Sequence, residues 1–367
     1  MARLRFPVSF SVSGPVREIC LPALLRMPAA FRMPAVFWMT AALALVAVAG
    51  LPGAAQNASA SKPAWQPAPG TVTLPLWPTE PPDGRTQPGQ PRNPAKGPER
   101  DMSRPDDPMI AGRPVIRLGN VSTPTMTLYA PKTGNTHVAV LVFPGGAYQI
   151  LAIDLEGTEV CTWLNSIGVN CILVKYRVPD SGPYPRSASA LQDAQRAMGL
   201  VREHAEEWKI DPDKVGVLGF SAGAHLAAAV STHHTERMYR AVDEADKLSC
   251  KPDFAVVLYP GYLALAEDRF AFNPDLPVNS QTPPTFLLQT EDDHVAHVES
   301  SIAYFMALKH AEVPAEMHIY TSGVHGYGLR RTSLPVTRWP GLVAQWLRTI
   351  EMLPPVRSGQ ATTKPGQ

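Results

Sequence analysis

Gly219-Phe220-Ser221-Ala222-Gly223 reads G-x-S-x-G, with an apolar run before it and a helical pattern of small residues after it. On a sharp strand-to-helix turn the two glycines leave room for a serine in a strained backbone, and its hydroxyl stands clear at the carboxyl edge of a sheet. The first turn of the following helix favours negative charge developing there. A serine hydroxyl is a weak nucleophile until a base takes its proton and a third group orients the base. Two later segments supply both, in the order acid then histidine. Glu291-Asp292-Asp293-His294 follows the apolar run ending at Thr290, and Ser322-Gly323-Val324-His325-Gly326 follows an expected strand ending at Tyr320. His325 is the expected general base. Asp293 is the expected orienting acid, with Asp292 left open because a single residue of register decides which carboxylate faces the histidine. Pro144-Gly145-Gly146-Ala147-Tyr148, after a further apolar run, has the place and composition of an oxyanion loop. The backbone amides of Gly146 and Ala222 are the expected donors, with Gly145 allowing close approach.

Other clusters carry less chemistry. Asp292, Asp293, His294 and His297 lie together, but no further ligand set accompanies them, so neither metal nor organic cofactor is expected. His225, one turn after Ser221, reads as a packed helix residue, and His233 and His234 as solvated at a helix end.

These loops need a scaffold that delivers them to one edge. Apolar runs of strand length occur at 138–143, 169–176, 215–220, 254–259 and 285–290, and 316–320 (EMHIY) also reads as a strand. Helical patterns alternate with them at 156–166, 188–208, 222–231, 300–311 and 341–351. Continuous apolar strands alternating with helices predict an α/β fold, a mostly parallel sheet with helices on both faces, over 113–352. A 45% hydrophobic, 18% charged composition suits such a core, and 33 basic against 32 acidic residues give no support to a nucleic-acid partner.

The 39 prolines mark the boundaries. Residues 61–112 are rich in proline and read as linker, with 73–78 (TLPLWP) an exception whose Leu and Trp could dock on the domain. The tail, 353–367, reads as disordered. At the start, arginines followed by the short apolar run 36–51 and small residues describe a signal peptide within 1–60, with Met27 or Met33 as possible starts. Sixteen residues fall short of the ~20 of a spanning helix, so the reading is a secreted or periplasmic protein without a stable membrane partner, rather than an anchored one. Cys161 and Cys171 fall in a helix and the next strand, where a bridge is possible. The preferred reading is two small buried thiols.

Residues 113–351 resemble the α/β-hydrolase superfamily, in particular its secreted carbohydrate esterases of the acetylxylan and feruloyl esterase (BD-FAE) type. The resemblance rests on PGGAY (144–148), LEGTEVCTWLNSIGVNCILVKYRVP (155–179), LQDAQRAMGLVREHAEEWKIDP (191–212), VGVLGFSAGAHLAA (215–228) and VHGYGLR (324–330). It implies Ser221 as nucleophile, His325 as base, Asp293 as acid, and an acetylated carbohydrate as the ester substrate. Ala147 and Ala224 depart from glycines usual in such relatives, and the acid loop DDHVAHVES departs from a DDPV-like spacing. Tyr148, Tyr262 and Tyr327 are candidates to line a sugar-facing cleft, the plainer reading being ordinary packing. A lipase would need a large apolar lid, and a prolyl peptidase an extra domain that 63–112 is too short to form. A catalytically dead binding module would be expected to have lost part of the Ser-Asp-His set.

Overall fold

A computed structural model describes residues 64–85, 97–180 and 182–355. The expected leader, the middle of the proline-rich stretch and the end of the tail lie outside the described residues.

Eight strands form the central sheet: β1 (Thr73–Pro75), β2 (Thr125–Tyr129), β3 (Ala139–Phe143), β4 (Asn170–Lys175), β5 (Val215–Phe220), β6 (Ala255–Leu258), β7 (Thr285–Thr290) and β8 (Ala315–Tyr320). Their order is β1-β2-β4-β3-β5-β6-β7-β8; β2 pairs antiparallel with both its neighbours, β1 and β4, and every other pairing is parallel. Every residue of β3, β5, β6 and β7 is buried, as a sheet covered on both faces requires.

Among the described residues five α-helices cover it: α1 (Glu159–Ser166), α2 (Ser189–Glu203), α3 (Ala222–Thr232), α4 (Glu299–His310) and α5 (Trp339–Thr349). The chain leaves β3 in one direction to reach β4 and then reverses to β5. Right-handed crossovers therefore put α1 on one face and α2 and α3 on the other. The packing agrees: Trp163 of α1 meets Trp339 of α5 at 5.1 Å between ring centroids, while α2 packs on α3. The reversal at β3 makes a topological switch point, where the loops leaving neighbouring strands diverge and open a crevice.

Two expectations need correction. Cys161 and Cys171 are disulfide-bonded, Cα to Cα 5.1 Å, so α1 is tied to the strand that follows it; Cys250 is the buried free thiol. The proline-rich stretch is also more than a linker. Residues 73–75 extend the central sheet, Leu76 and Trp77 are buried, and Trp77 Nε1 donates to Asp193 Oδ1 at 2.8 Å. Arg196 Nε donates to the Leu76 carbonyl and Arg177 Nη1 to that of Pro82. The stretch is held by the burial of Leu76 and Trp77 and by its carbonyls, which accept from Arg196, buried, and Arg177, partly buried. Among the described residues no helix is long and apolar enough to cross a membrane.

Candidate active site

The parallel register brings the carboxyl ends of the central strands level, Phe143 beside Gly219 and Phe220 beside Leu258, itself beside Leu288. Loops leaving these ends meet at one place.

Ser221 sits between β5 and α3 with φ 52° and ψ −117°, outside the regions L-residues favour. The neighbours enforce that geometry. A Cβ on Gly223 would overlap the Phe143 carbonyl, and one on Gly219 would overlap the Gly223 carbonyl. Strand and helix can approach this closely only with hydrogen at both positions.

His325 Nε2 lies 3.0 Å from Ser221 Oγ, and His325 Nδ1 lies 2.7 Å from Asp293 Oδ2. Asp293 is buried, and its other oxygen accepts from the amides of Val295 and Ala296 at 2.9 Å each. Burial raises its pKa, but the hydrogen bond from His325 and the two amides outweigh that and hold the carboxyl below its ordinary range. An ionised carboxylate can only accept, so the imidazole proton belongs on Nδ1 and Nε2 is free to take the serine proton.

Asp292 faces the other way. It accepts from Gly323 N at 3.0 Å and Val324 N at 2.8 Å, fastening the loop that carries His325. Those amide bonds, that of Val324 foremost, hold its pKa below the usual value. The two adjacent carboxylates thus hold different parts of one loop: Asp293 touches the His325 ring and Asp292 the amides of Gly323 and Val324, the two residues before it.

In the loop after β3, Gly145 N donates to Glu156 Oε2 at 2.7 Å, so that amide is committed within the protein and is not available to a substrate. A Cβ on Gly145 would meet Glu156 Oε2 at 2.7 Å and Ser221 Cβ at 2.9 Å, which confirms how close this backbone runs to the serine. Gly146 (φ 136°) and Ala222 follow in the expected positions. Neither amide has a protein acceptor among the described residues.

The tyrosines separate. Tyr148 is 2% exposed and shares a 2.8 Å hydrogen bond with His225 Nδ1, and Tyr327 is 5% exposed with its ring edge-on to Tyr259 at 4.5 Å. Both are packing residues, not cleft walls. Tyr262 is 40% exposed, and its ring lies 6.2 Å from that of Tyr148, so it alone of the three offers a face to a ligand. Its neighbour Gly261 donates to the Ser221 carbonyl, which sets the loop beside Ser221. His225 is buried with its pKa lowered to about 3, chiefly by burial, so it is neutral packing. Among the described residues no group of His, Cys, Asp and Glu is arranged to hold a metal ion.

Sequence reasoning passed over Glu156. It is buried, with Oε1 accepting from Tyr259 Oη at 2.8 Å, and Tyr259 Oη accepts in turn from Gly328 N at 3.2 Å. Burial pushes its pKa up, against the pull of those donors. An acid near a helix start suggests a solvated first turn, and only its place inside an apolar pattern hinted otherwise.

A family model described as BD-FAE matches residues 126–259. The acetylxylan esterase of Xylanibacter ruminicola is 29% identical over 237 residues, covering 58% of this chain and 45% of that protein. Endo-1,4-beta-xylanase B of Butyrivibrio fibrisolvens is 28% identical over 204 residues, covering 51% of this chain and 32% of that one. The chain therefore spans less than half the length of these two curated relatives. The crystal structure of an acetyl ester-xyloside bifunctional hydrolase from Caldicellulosiruptor lactoaceticus is 32% identical with a TM-score of 0.59, and the match covers 81% of this chain and all of that one.

Proposed function

This chain belongs to the α/β-hydrolase esterases of the BD-FAE type, and on that premise we propose that it removes acetyl groups from xylan-type carbohydrates through Ser221, His325 and Asp293. The Ser221–His325–Asp293 relay carries the reading. His325 Nε2 takes the Oγ proton as Oγ attacks the ester carbonyl carbon. The carbonyl oxygen becomes an oxyanion facing the amides of Gly146 and Ala222. Collapse expels the sugar alkoxide, which leaves as the alcohol with the proton from His325, and an acetyl-serine remains. Water then repeats the two steps: it gives a proton to His325, attacks the acyl carbon and frees acetate, while Ser221 regains its proton. Asp293 stays ionised throughout and stabilises the imidazolium.

The acetyl-carbohydrate assignment draws on the relatives described above and on Tyr262, a half-exposed aromatic face beside the nucleophile of the kind on which a pyranose ring can lie. We also propose export from the cytoplasm: the Cys161–Cys171 disulfide suits an oxidising compartment, and the basic and apolar leader suits the route.

The test is acetate release from acetylated xylo-oligosaccharides by the full chain beside Ser221→Ala. Release that disappears in the variant is the expected result. Hydrolysis of simple aryl acetates with none of the oligosaccharide would keep the esterase and overturn the sugar assignment.

A further inference from the structure

Resting on the Ser221 reading above, we propose that Glu156 is a positioning residue for ester hydrolysis, holding the oxyanion loop and the histidine loop in one register through its two carboxylate oxygens. Oε2 accepts from Gly145 N, the amide immediately before the proposed Gly146 donor. Oε1 accepts from Tyr259 Oη, which accepts from Gly328 N, three residues after His325. The Tyr259 ring lies edge-on to the His325 ring, centroids 5.2 Å apart. One buried carboxylate thus joins the loop after β3, the loop after β6 and the loop after β8, each of which borders Ser221.

The local backbone is built for this. Residues Asp154–Thr158 form a π-helical turn, with Thr158 N bonded to the Ile153 carbonyl five residues back, before the chain continues as α1. The wider turn places Glu156 inward, whereas its neighbours Asp154 and Glu159 bind Arg330. Single π turns are frequent at functional sites because they redirect one side chain without ending the helix. A buried acid that served stability alone could pair with Arg330 as its neighbours do. Instead its acceptors go to an amide and a phenol at the mouth of the nucleophile turn.

Two oxygens answering two donors is the feature to remove. In Glu156→Gln the shape is kept, but the single amide oxygen satisfies one donor and the NH2 group confronts the other. With the oxygen kept on Gly145 N, the NH2 group turns the Tyr259 hydroxyl from donor to acceptor; with the oxygen on Tyr259, it opposes the Gly145 amide and the Gly145–Gly146 backbone must shift. Because the oxyanion contact is made only as the tetrahedral intermediate forms, kcat should fall while KM holds. The expected loss in kcat is roughly 10- to 100-fold, less than the ~100- to 1,000-fold cost of deleting a donor outright, with KM within about threefold.

Steady-state kinetics on an aryl acetate are measured per active serine, counted by end-point titration with a fluorophosphonate, for wild type, Glu156→Gln, Tyr259→Phe and Ser221→Ala. The expected pattern is a lower kcat per titrated serine in Glu156→Gln, with a smaller loss in the same direction in Tyr259→Phe. If only the titratable fraction falls, and kcat per titrated serine is that of wild type in both, Glu156 is structural and the proposal is overturned. A rise in KM with kcat intact overturns it as well. Should Glu156→Gln not fold, Tyr259→Phe decides alone by the same criterion. Full activity in Ser221→Ala would instead overturn the underlying reading, whatever Glu156 does.

Discussion

Replacing Asp293 by asparagine should disable the relay through proton placement with no change of shape. Asp293 Oδ1 accepts from two backbone amides, Val295 N and Ala296 N. In Asp293→Asn only the carbonyl oxygen can face those donors, so the side-chain NH2 is driven toward His325 Nδ1. It donates there, Nδ1 must become the acceptor, and the imidazole proton moves to Nε2, 3.0 Å from Ser221 Oγ. That nitrogen can no longer take the serine proton. The expected fall in kcat is about 10⁴-fold, the size of a wrong-tautomer effect in a serine relay, or roughly 5.5 kcal/mol on the barrier. Asp292→Asn is the internal control. Its carbonyl oxygen still accepts from Gly323 and Val324, so its loss should stay within about tenfold, the scale of one weakened hydrogen bond. Hydrolysis of a p-nitrophenyl ester, normalised to active serine and accompanied by thermal melts, reads both. Asp293→Asn within tenfold of wild type, or Asp292→Asn the more damaging of the two, would refute the argument.

Two further outcomes concern stability. His225 has a folded pKa of about 3 against an ordinary 6.5, so between those values the unfolded chain binds a proton that the native state does not. Stability is therefore complete above pH 6.5 and falls by about 1.4 kcal/mol per unit below it on this account. Urea unfolding at pH 7 and pH 5 should show wild type losing about 2 kcal/mol more than His225→Gln, and equal losses would remove His225 as the cause. The Cys161–Cys171 bridge closes a separation of 10 residues. Its removal in a Cys161→Ser/Cys171→Ser variant should lower the unfolding free energy by about 2–3 kcal/mol, and an unchanged urea midpoint would contradict that.

The parts legible in the sequence were those fixed by local pattern. Residues 215–220 and the Phe286–Leu288 centre of 285–290 are apolar and alternate with helices, so their strands coincide with the structure, as does the turn at Ser221. Where a side chain points was harder to read. Asp292 and Asp293 differ by one residue, and only the fold around Val295, Ala296, Gly323 and Val324 tells which reaches the ring. Tyr148 looked available because it follows a glycine loop, yet three successive positive φ angles, at Gly146, Ala147 and Tyr148, accompany a ring buried against His225. Glu156 was unreadable for a related reason: a π turn leaves no signature in residue types, and it turns the acid inward. Trp77 was visible as an apolar residue among prolines, but its partner Asp193 lies 116 residues away.

The short strand at Thr73–Pro75 has a consequence for the edge of the central sheet. Without it, Thr125–Tyr129 would end the sheet and offer a row of unpaired amides and carbonyls to any passing chain. Three residues cover that rim, and Pro75 has no N–H with which to recruit another strand. Such a cover protects only while it remains attached. A protease that cut between Trp77 and the domain would leave every residue of the relay in the chain and still create a template for intermolecular sheet growth. A cut upstream of Thr73 would keep the cover in place, so the seemingly dispensable proline-rich arm holds the strand that closes this edge of the sheet.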